Sequence, residues 1–317
     1  MKKLLVSSVA ITAMAGSAIA ADLPSIKSAP AVAPVPVWTG FYVGLNAGGT
    51  WQNNNSAKIQ EYPMWYNPVL KASPIYMDLT AIGSSMTVPT NSSSGFIGGG
   101  QIGFNQQFLD KFVVGGEADI QGIIQTNQNS ASIANRYNFT YTSYTRPGQT
   151  LSAMVDNAYS TSKSLNYFGT ARGRLGYLVT PTLLAYGTAG LAYGGVSLST
   201  NLYQRTDSGI DDTEIDAGNH TLSALKIGWT AGAGFEWMFL DNWSAKVEYL
   251  YYDLGTLAMN SGQHTNYWGT YNFPPMTTGE MTTMMGYSSA ARFNGNIVRA
   301  GVNYHFNFAS APVVAKF

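Results

Sequence analysis

The sequence contains no cysteine, which removes disulfide staples and any thiolate ligand or nucleophile from consideration. It has three histidines, His220, His264 and His305, and their spacing suits no metal. Charge is scarce: 11% of the 317 residues are Asp, Glu, Lys or Arg, against about 25% in a typical soluble domain. The 17 basic and 17 acidic residues cancel, so no basic surplus calls for a nucleic-acid partner. No Ser-centred nucleophile elbow is found. The triplet Gly98, Gly99 and Gly100 lies within a strand pattern and reads as close strand packing rather than a phosphate cradle. Beyond the N-terminus no run is long and apolar enough for a spanning helix. If the chain lives in a membrane, it must therefore be a closed β-barrel, the other architecture that satisfies every backbone polar group in lipid.

What is abundant fits that alternative. Aromatics make up 13%, with 20 Tyr, and there are 34 Gly. The most informative stretch is 231–306. Every second residue there is apolar: Ala231, Ala233, Phe235 and Trp237, then Trp243, Ala245, Val247, Tyr249 and Tyr251, then Val298, Ala300, Val302, Tyr304 and Phe306. The intervening set carries Glu236, Lys246, Glu248, Arg299, Asn303 and His305. Period two means strands with one apolar and one polar face. A soluble sandwich would turn the charges to water; an outer-membrane barrel would turn the apolar set to lipid and the charges to the lumen.

The order of segments separates the two. Residues 1–20 have a basic start, a short apolar region and a small-x-small site at Ala18-Ile19-Ala20, the pattern of a cleaved signal peptide. Residues 21–37 form a Pro-rich periplasmic linker. Eight strands are then expected at about 38–49, 95–109, 112–124, 164–179, 183–199, 225–240, 243–254 and 294–306. Long polar stretches (50–94, 125–163, 200–223 and 255–293) alternate with tight turns at Asp110-Lys111, Thr180-Pro181-Thr182 and Asp241-Asn242. Short turns at one end and long connections at the other are the outer-membrane pattern. The predicted fold is all-β: an eight-stranded antiparallel up-and-down transmembrane barrel, 38–306, with four long extracellular loops and a C-terminal tail at 307–317.

With that parity the lumen receives Glu117, Asp119, Glu236 and Glu248 together with Arg172, Arg174, Lys246 and Arg299. A lipid-facing charge at mid-depth costs about 2–4 kcal/mol. An eight-stranded interior is only wide enough to be filled by side chains. The expectation is a salt-bridge network that plugs the lumen. Parity on the fifth strand is ambiguous; Leu183, Ala185, Ala189, Leu191 and Tyr193 are taken as outward. Trp38, Tyr177, Trp237, Trp243 and Phe306, near strand ends, are expected on the outer face as membrane-interface aromatics.

Four blocks carry a resemblance: Trp38-Thr-Gly-Phe-Tyr-Val-Gly-Leu-Asn-Ala-Gly48, Gly169-Thr-Ala-Arg-Gly-Arg-Leu-Gly-Tyr177, Asp241-Asn-Trp-Ser-Ala-Lys-Val-Glu-Tyr-Leu-Tyr-Tyr-Asp-Leu-Gly255 and Gly301-Val-Asn-Tyr-His-Phe306. Together, in this order, they resemble the small outer-membrane immunogenic, opacity-like porin family of alphaproteobacteria. The resemblance implies an eight-stranded barrel in the cell outer membrane, often called a porin or surface antigen, and it brings no catalytic site; no cofactor or metal is expected. The loops are longer than that family leads one to expect, and eleven residues follow Phe306. The family's insertion signal is a terminal aromatic read by the barrel-assembly machinery; Phe306 and Phe317 both qualify, and Pro312 favours Phe306. The remaining partners expected are outer-membrane lipid and lipopolysaccharide; oligomeric state is open. The functional reading is a structural surface protein with at most weak porin activity. Its rivals are a diffusion porin for small polar solutes, an adhesin working through the Tyr- and Asn-rich loops, and a membrane-embedded hydrolase. Asp211-Asp212 with His220 would suit the last, though a solvated loop is the plainer reading.

Overall fold

The computed structural model describes residues 38–53, 56–65, 85–89, 94–125, 131–142, 148–207, 213–260, 264–271 and 279–306. The signal peptide, the linker, the tail, and Asp211 and Asp212 lie outside them. Twelve strands follow one another with no helix among the described residues: β1 (Gly40–Gln52), β2 (Ser56–Trp65), β3 (Ser85–Pro89), β4 (Ser94–Phe108), β5 (Phe112–Gln125), β6 (Ala131–Thr142), β7 (Thr150–Thr180), β8 (Leu183–Asp207), β9 (Thr213–Leu240), β10 (Trp243–Asn260), β11 (His264–Tyr271) and β12 (Gly279–Phe306). Eight of them, β1, β4, β5, β7, β8, β9, β10 and β12, pair in that order, all antiparallel. The β1–β12 ladder, from Phe41↔Phe306 to Gln52↔Gly295, closes the ring. A closed ring leaves no unpaired edge in the wall, which is what hydrocarbon demands.

Faces alternate as period two requires. On β5, Val113, Glu117, Asp119 and Gln121 are buried while Val114, Ala118, Ile120 and Ile124 are exposed. Large apolar residues cover the outside of the lower wall, among them Phe41, Leu45, Ile102, Ile120, Leu175, Leu191, Phe235 and Val247. The outer parity read for β8 matches its burial, with Leu191 61% exposed and Ala192 fully buried. On β1 this belt runs from Phe41 to Trp51, and on β7 from Tyr177 to Tyr167. At a rise of about 3.4 Å per residue and a tilt near 45°, such a run stands roughly 25 Å tall, the height of an outer-membrane apolar band.

Above the belt the polarity of the two faces inverts. The outside of β8 changes from Leu191 and Tyr193 to Ser197, Ser199 and Asn201, while its inside becomes Val196, Leu198 and Leu202. On β9 the outside changes from Leu225 to Ser223. An exterior of this polarity is suited to water, and the interior becomes the apolar side. Bulges mark this level. β7 slips register between Leu165 and Tyr167, and β10 between Asp253 and Thr256. The β10 bulge is set by Gly255 at φ +75°, whose N–H donates to Asp253 Oδ1 at 2.9 Å.

This part of the chain corrects the expectation of four long loops. The polar stretches contain β2, β3, β6, β11 and the upper halves of β7, β8, β9 and β12, so the sheet continues well beyond the membrane belt. β6 pairs β7, β11 and β2 pair β12, and β3 pairs β2. An interior cluster of Ile59, Met86, Val88, Tyr159, Leu202, Met259 and Tyr287 holds the extension together.

Candidate functional site: the lumen

The lumen is layered. At the short-turn end Trp38, Val113, Leu178, Leu184, Tyr186 and Met238 pack as one apolar cluster. Above it lie the charges. Above those, Leu165, Phe168, Val196, Leu250, Tyr252, Phe293 and Ile297 belong to a larger apolar cluster that reaches the inversion level.

All eight charged residues read from the sequence are buried in the middle layer and in contact. Arg172 is its hub: Nη2 donates to Glu117 Oε1 at 2.5 Å and to Asp119 Oδ2 at 3.1 Å, and Nη1 donates to Glu248 Oε1 at 2.9 Å. Arg299 joins Asp119 Oδ2 and Glu248 Oε2, both at 2.8 Å. Lys246 Nζ reaches both Glu117 oxygens at 2.9 and 2.8 Å. Arg174 Nη2 donates to Glu236 Oε2 at 2.6 Å, and its guanidinium stacks 4.0 Å from the Tyr186 ring centroid. Four carboxylates thus face four cations across strands β5, β7, β9, β10 and β12. Such pairing is what makes buried charge tolerable, because each ion would otherwise carry several kcal/mol of desolvation, roughly.

The polar parity set supplies further members that charge alone did not flag. The Tyr42 hydroxyl donates to Glu117 Oε2 at 2.7 Å and accepts from Arg174 Nη1 at 3.0 Å. Thr170 donates to Asp119 Oδ2 at 2.7 Å. Glu236 Oε1 accepts from Ser244 Oγ at 2.6 Å and from Asn303 Nδ2 at 2.7 Å, and His305 Nε2 lies 2.8 Å from Ser244 Oγ. An amide chain continues the set, with Asn46 donating to Gln101 at 2.9 Å and Gln101 to Asn303 at 2.5 Å. Gly190 makes room for the hub. A Cβ there would lie 2.2 Å from Ala171 O and 2.6 Å from Arg172 Cα.

Of the five aromatics expected on the outer face, Tyr177, Trp237, Trp243 and Phe306 are there, 44%, 55%, 42% and 38% exposed, around the short-turn end of the belt. Trp38 is not. It is fully buried, its indole N–H donates to Pro181 O at 3.0 Å, and its ring meets His305 edge-on at 5.8 Å. Trp38 shares parity with inward Tyr42 rather than outward Phe41, and a ring at the chain's entry covers an otherwise open mouth.

Above the belt, Lys163 is a buried cation. It points inward; its Nζ donates to Arg292 O at 3.3 Å and lies 5.8 Å from the Phe293 ring centroid. Burial lowers its ammonium to about 8. Between that value and the ordinary lysine range near 10.4, the unfolded chain holds more protons than the folded one, so stability rises with pH across this window. Below pH 8 the full penalty, about 3 kcal/mol, is present. Lys163→Met should therefore raise the unfolding midpoint in detergent at pH 7 and abolish the gain that the natural protein shows between pH 8 and 10. Equal pH profiles for the two proteins would contradict this.

Comparison with known proteins finds outer-membrane relatives. No family model matches the chain. The 31 kDa outer-membrane immunogenic protein of Brucella melitensis is 36% identical over 262 residues, covering 80% of this chain and 88% of the relative. A 22 kDa outer membrane protein of Rhizobium leguminosarum is 34% identical over 119 residues, 35% of this chain and 45% of its own length. Among solved structures, the outer membrane protein OprG from Pseudomonas aeruginosa overlaps 84% of this chain and 97% of its own, at 10% identity and a TM-score of 0.32.

Proposed function

The chain belongs to the outer-membrane immunogenic protein family, and from that membership we propose a surface barrel that serves structure and display rather than transport or catalysis. It is an outer-membrane β-barrel surface protein; the finer reading concerns its lumen. The observation that carries it is the stacking of three filled layers: the Trp38 cluster, the ion-pair network, and the Phe168–Phe293 cluster. A hydrated diffusion path would have to displace two apolar layers as well as a layer in which four acids and four bases are paired. In planar bilayers the full-length protein should show no sustained open level. A large, persistent single-channel current would favour the diffusion porin and end this reading.

The extension defines what the protein presents outside. Immediately above the belt, the outer faces of β7, β8 and β9 carry hydroxyl and amide side chains held by lateral hydrogen bonds. Ser197 and Ser223 lie 2.7 Å apart, Thr221 donates to Ser199 at 2.9 Å, and Asn201 donates to Ser160 at 3.2 Å. This uncharged, prearranged face stands at the height of lipopolysaccharide sugars, which we take as its neighbours. Insertion by the barrel-assembly machinery through the Phe306-terminated β12 completes the proposal.

A further inference from the structure

The upper margin of the belt is not the same all round. Trp51, Phe96, Ile124, Tyr167 and Ile227, all exposed, form it on β1, β4, β5, β7 and β9. On β12 and the adjoining part of β10 it is polar. Asn296 stands opposite Trp51 on one side and Tyr251 on the other, and Asn294 stands opposite Asp253. These groups are tied together. Tyr249 Oη donates to Asn296 Oδ1 at 2.7 Å, Asn296 Nδ2 to Asn53 Oδ1 at 3.0 Å, and Asn294 Nδ2 to Tyr251 Oη at 3.0 Å. A neighbouring lipid therefore finds prearranged polar groups here, at the depth where its hydrocarbon begins.

Directly above this notch stand two cations. Arg292 is the next outward residue of β12 after Asn294. Its side chain is 57% exposed, whereas that of Asp253, which it grips through Nε and Nη2, is only 3% exposed. Asp253 is held in turn by the Gly255 N–H at the β10 bulge. The buried carboxylate thus fixes the guanidinium while more than half of the arginine side chain stays open. Lys58 is exposed on the outer face of β2, opposite Ala290, and so diagonal to Arg292. Diagonal neighbours in a sheet are about 7–8 Å apart, so both side chains can reach one anion. Among the described residues on the outer faces of β1, β2, β10 and β12 at this level, the only other charge is Asp253, which leaves the corner net positive.

We infer that this corner is a lipopolysaccharide seat, built for the phosphorylated sugar backbone of lipid A. A phosphate meets Arg292 and Lys58, sugar hydroxyls meet the amides of Asn53 and Asn296, and acyl chains descend over the exposed Trp51, Tyr249 and Val298. A guanidinium held in place by a carboxylate is a preset partner for phosphate, which it meets with paired N–H groups. Short turns lie toward the periplasm in outer-membrane barrels, so this upper margin is the one that borders the lipopolysaccharide leaflet. The assignment deepens the reading of the upper wall as a neighbour of that lipid and rests on it; it is independent of whether the lumen conducts.

The test is native mass spectrometry of the full-length protein in detergent, titrated separately with bisphosphorylated lipid A, lipid A stripped of phosphate, and phosphatidylglycerol. The natural protein should retain one phosphorylated lipid A about tenfold more tightly than either of the others, the size of one charge-assisted contact. Lys58→Glu, which leaves the Arg292–Asp253 pair intact, should remove that preference. Arg292→Gln combined with Asp253→Asn, which leaves no carboxylate unpaired, should do the same. Heat-modifiable gel migration checks that each variant is folded; if the double variant is not, Lys58→Glu decides alone. An undiminished preference for phosphorylated lipid A in Lys58→Glu would overturn this seat while leaving the wider contact of the wall with lipopolysaccharide standing. Equal retention of all three lipids by the natural protein, or tighter binding of phosphatidylglycerol, would overturn both.

Discussion

Arg172→Met is expected to cost about 3–5 kcal/mol of stability, enough to move much of the protein from the compact, heat-modifiable form to the unfolded one. The side chain being replaced is fully buried and holds three carboxylates at once, those of Glu117, Asp119 and Glu248. Methionine fills much of the same volume, so the loss is electrostatic rather than a cavity effect. Four acids would face three bases in a layer closed above and below by apolar side chains, and one negative charge would have no partner. A second variant separates this cause from simple disruption. Arg172→Met combined with Glu248→Met restores the balance and should recover at least half of the lost stability, as replacing whole buried pairs by apolar residues often does. Arg172→Lys should fall between, because an ammonium cannot serve Glu117 and Glu248 with separate nitrogens of one rigid fork. Unfolding in urea, followed by gel mobility, reads all three. If Arg172→Met were as stable as the natural protein, the middle layer would have to be hydrated, and the closed lumen would be lost with it.

The ring of eight was legible because lipid and lumen pull opposite residue types to opposite faces. Where β5 alternates Glu117, Ala118, Asp119 and Ile120, only one orientation keeps charge out of hydrocarbon. The charged half of the site followed from the same parity. Tyr42, Thr170, Ser244 and His305 sit on that parity too, but as polar groups outside the Asp, Glu, Lys and Arg set they carried no signal of their own. The extension was not legible, for two physical reasons. Above the belt the outer face is polar and the inner face mixes apolar with polar residues, so segments such as Asn157-Ala-Tyr-Ser-Thr-Ser-Lys163 alternate only weakly. The bulges then change the parity itself. On β7 the inward residues are Tyr159, Thr161, Lys163 and Leu165 above the slip but Phe168, Thr170, Arg172 and Arg174 below it. On β10 they are Leu257 and Met259 above and Lys246, Glu248 and Leu250 below. A two-residue period carried across either bulge lands on the wrong face, and the strand dissolves into an apparent loop.

Trp38→Ala should be nearly as damaging, at about 3–5 kcal/mol, and it discriminates between two placements of the same ring. An aromatic at the lipid interface can be truncated cheaply, since lipid moves in to fill the space. A ring packed in the lumen against Val113, Leu184 and Met238 leaves a cavity, and its loss also orphans Pro181 O, which accepts the indole N–H. Trp243 is the control: 42% exposed on the outer face, edge-on to Tyr304 at 5.2 Å, it should cost about 1 kcal/mol or less when replaced by alanine. The two variants also differ in what they expose. Loss of Trp38 opens the mouth of the barrel from the periplasmic side, so a water-soluble quencher should then reach Tyr42 and Tyr186, whereas loss of Trp243 should leave them shielded. Matching stabilities for the two variants would return Trp38 to the outer face and remove the lower of the three layers on which the proposal of a plugged lumen rests.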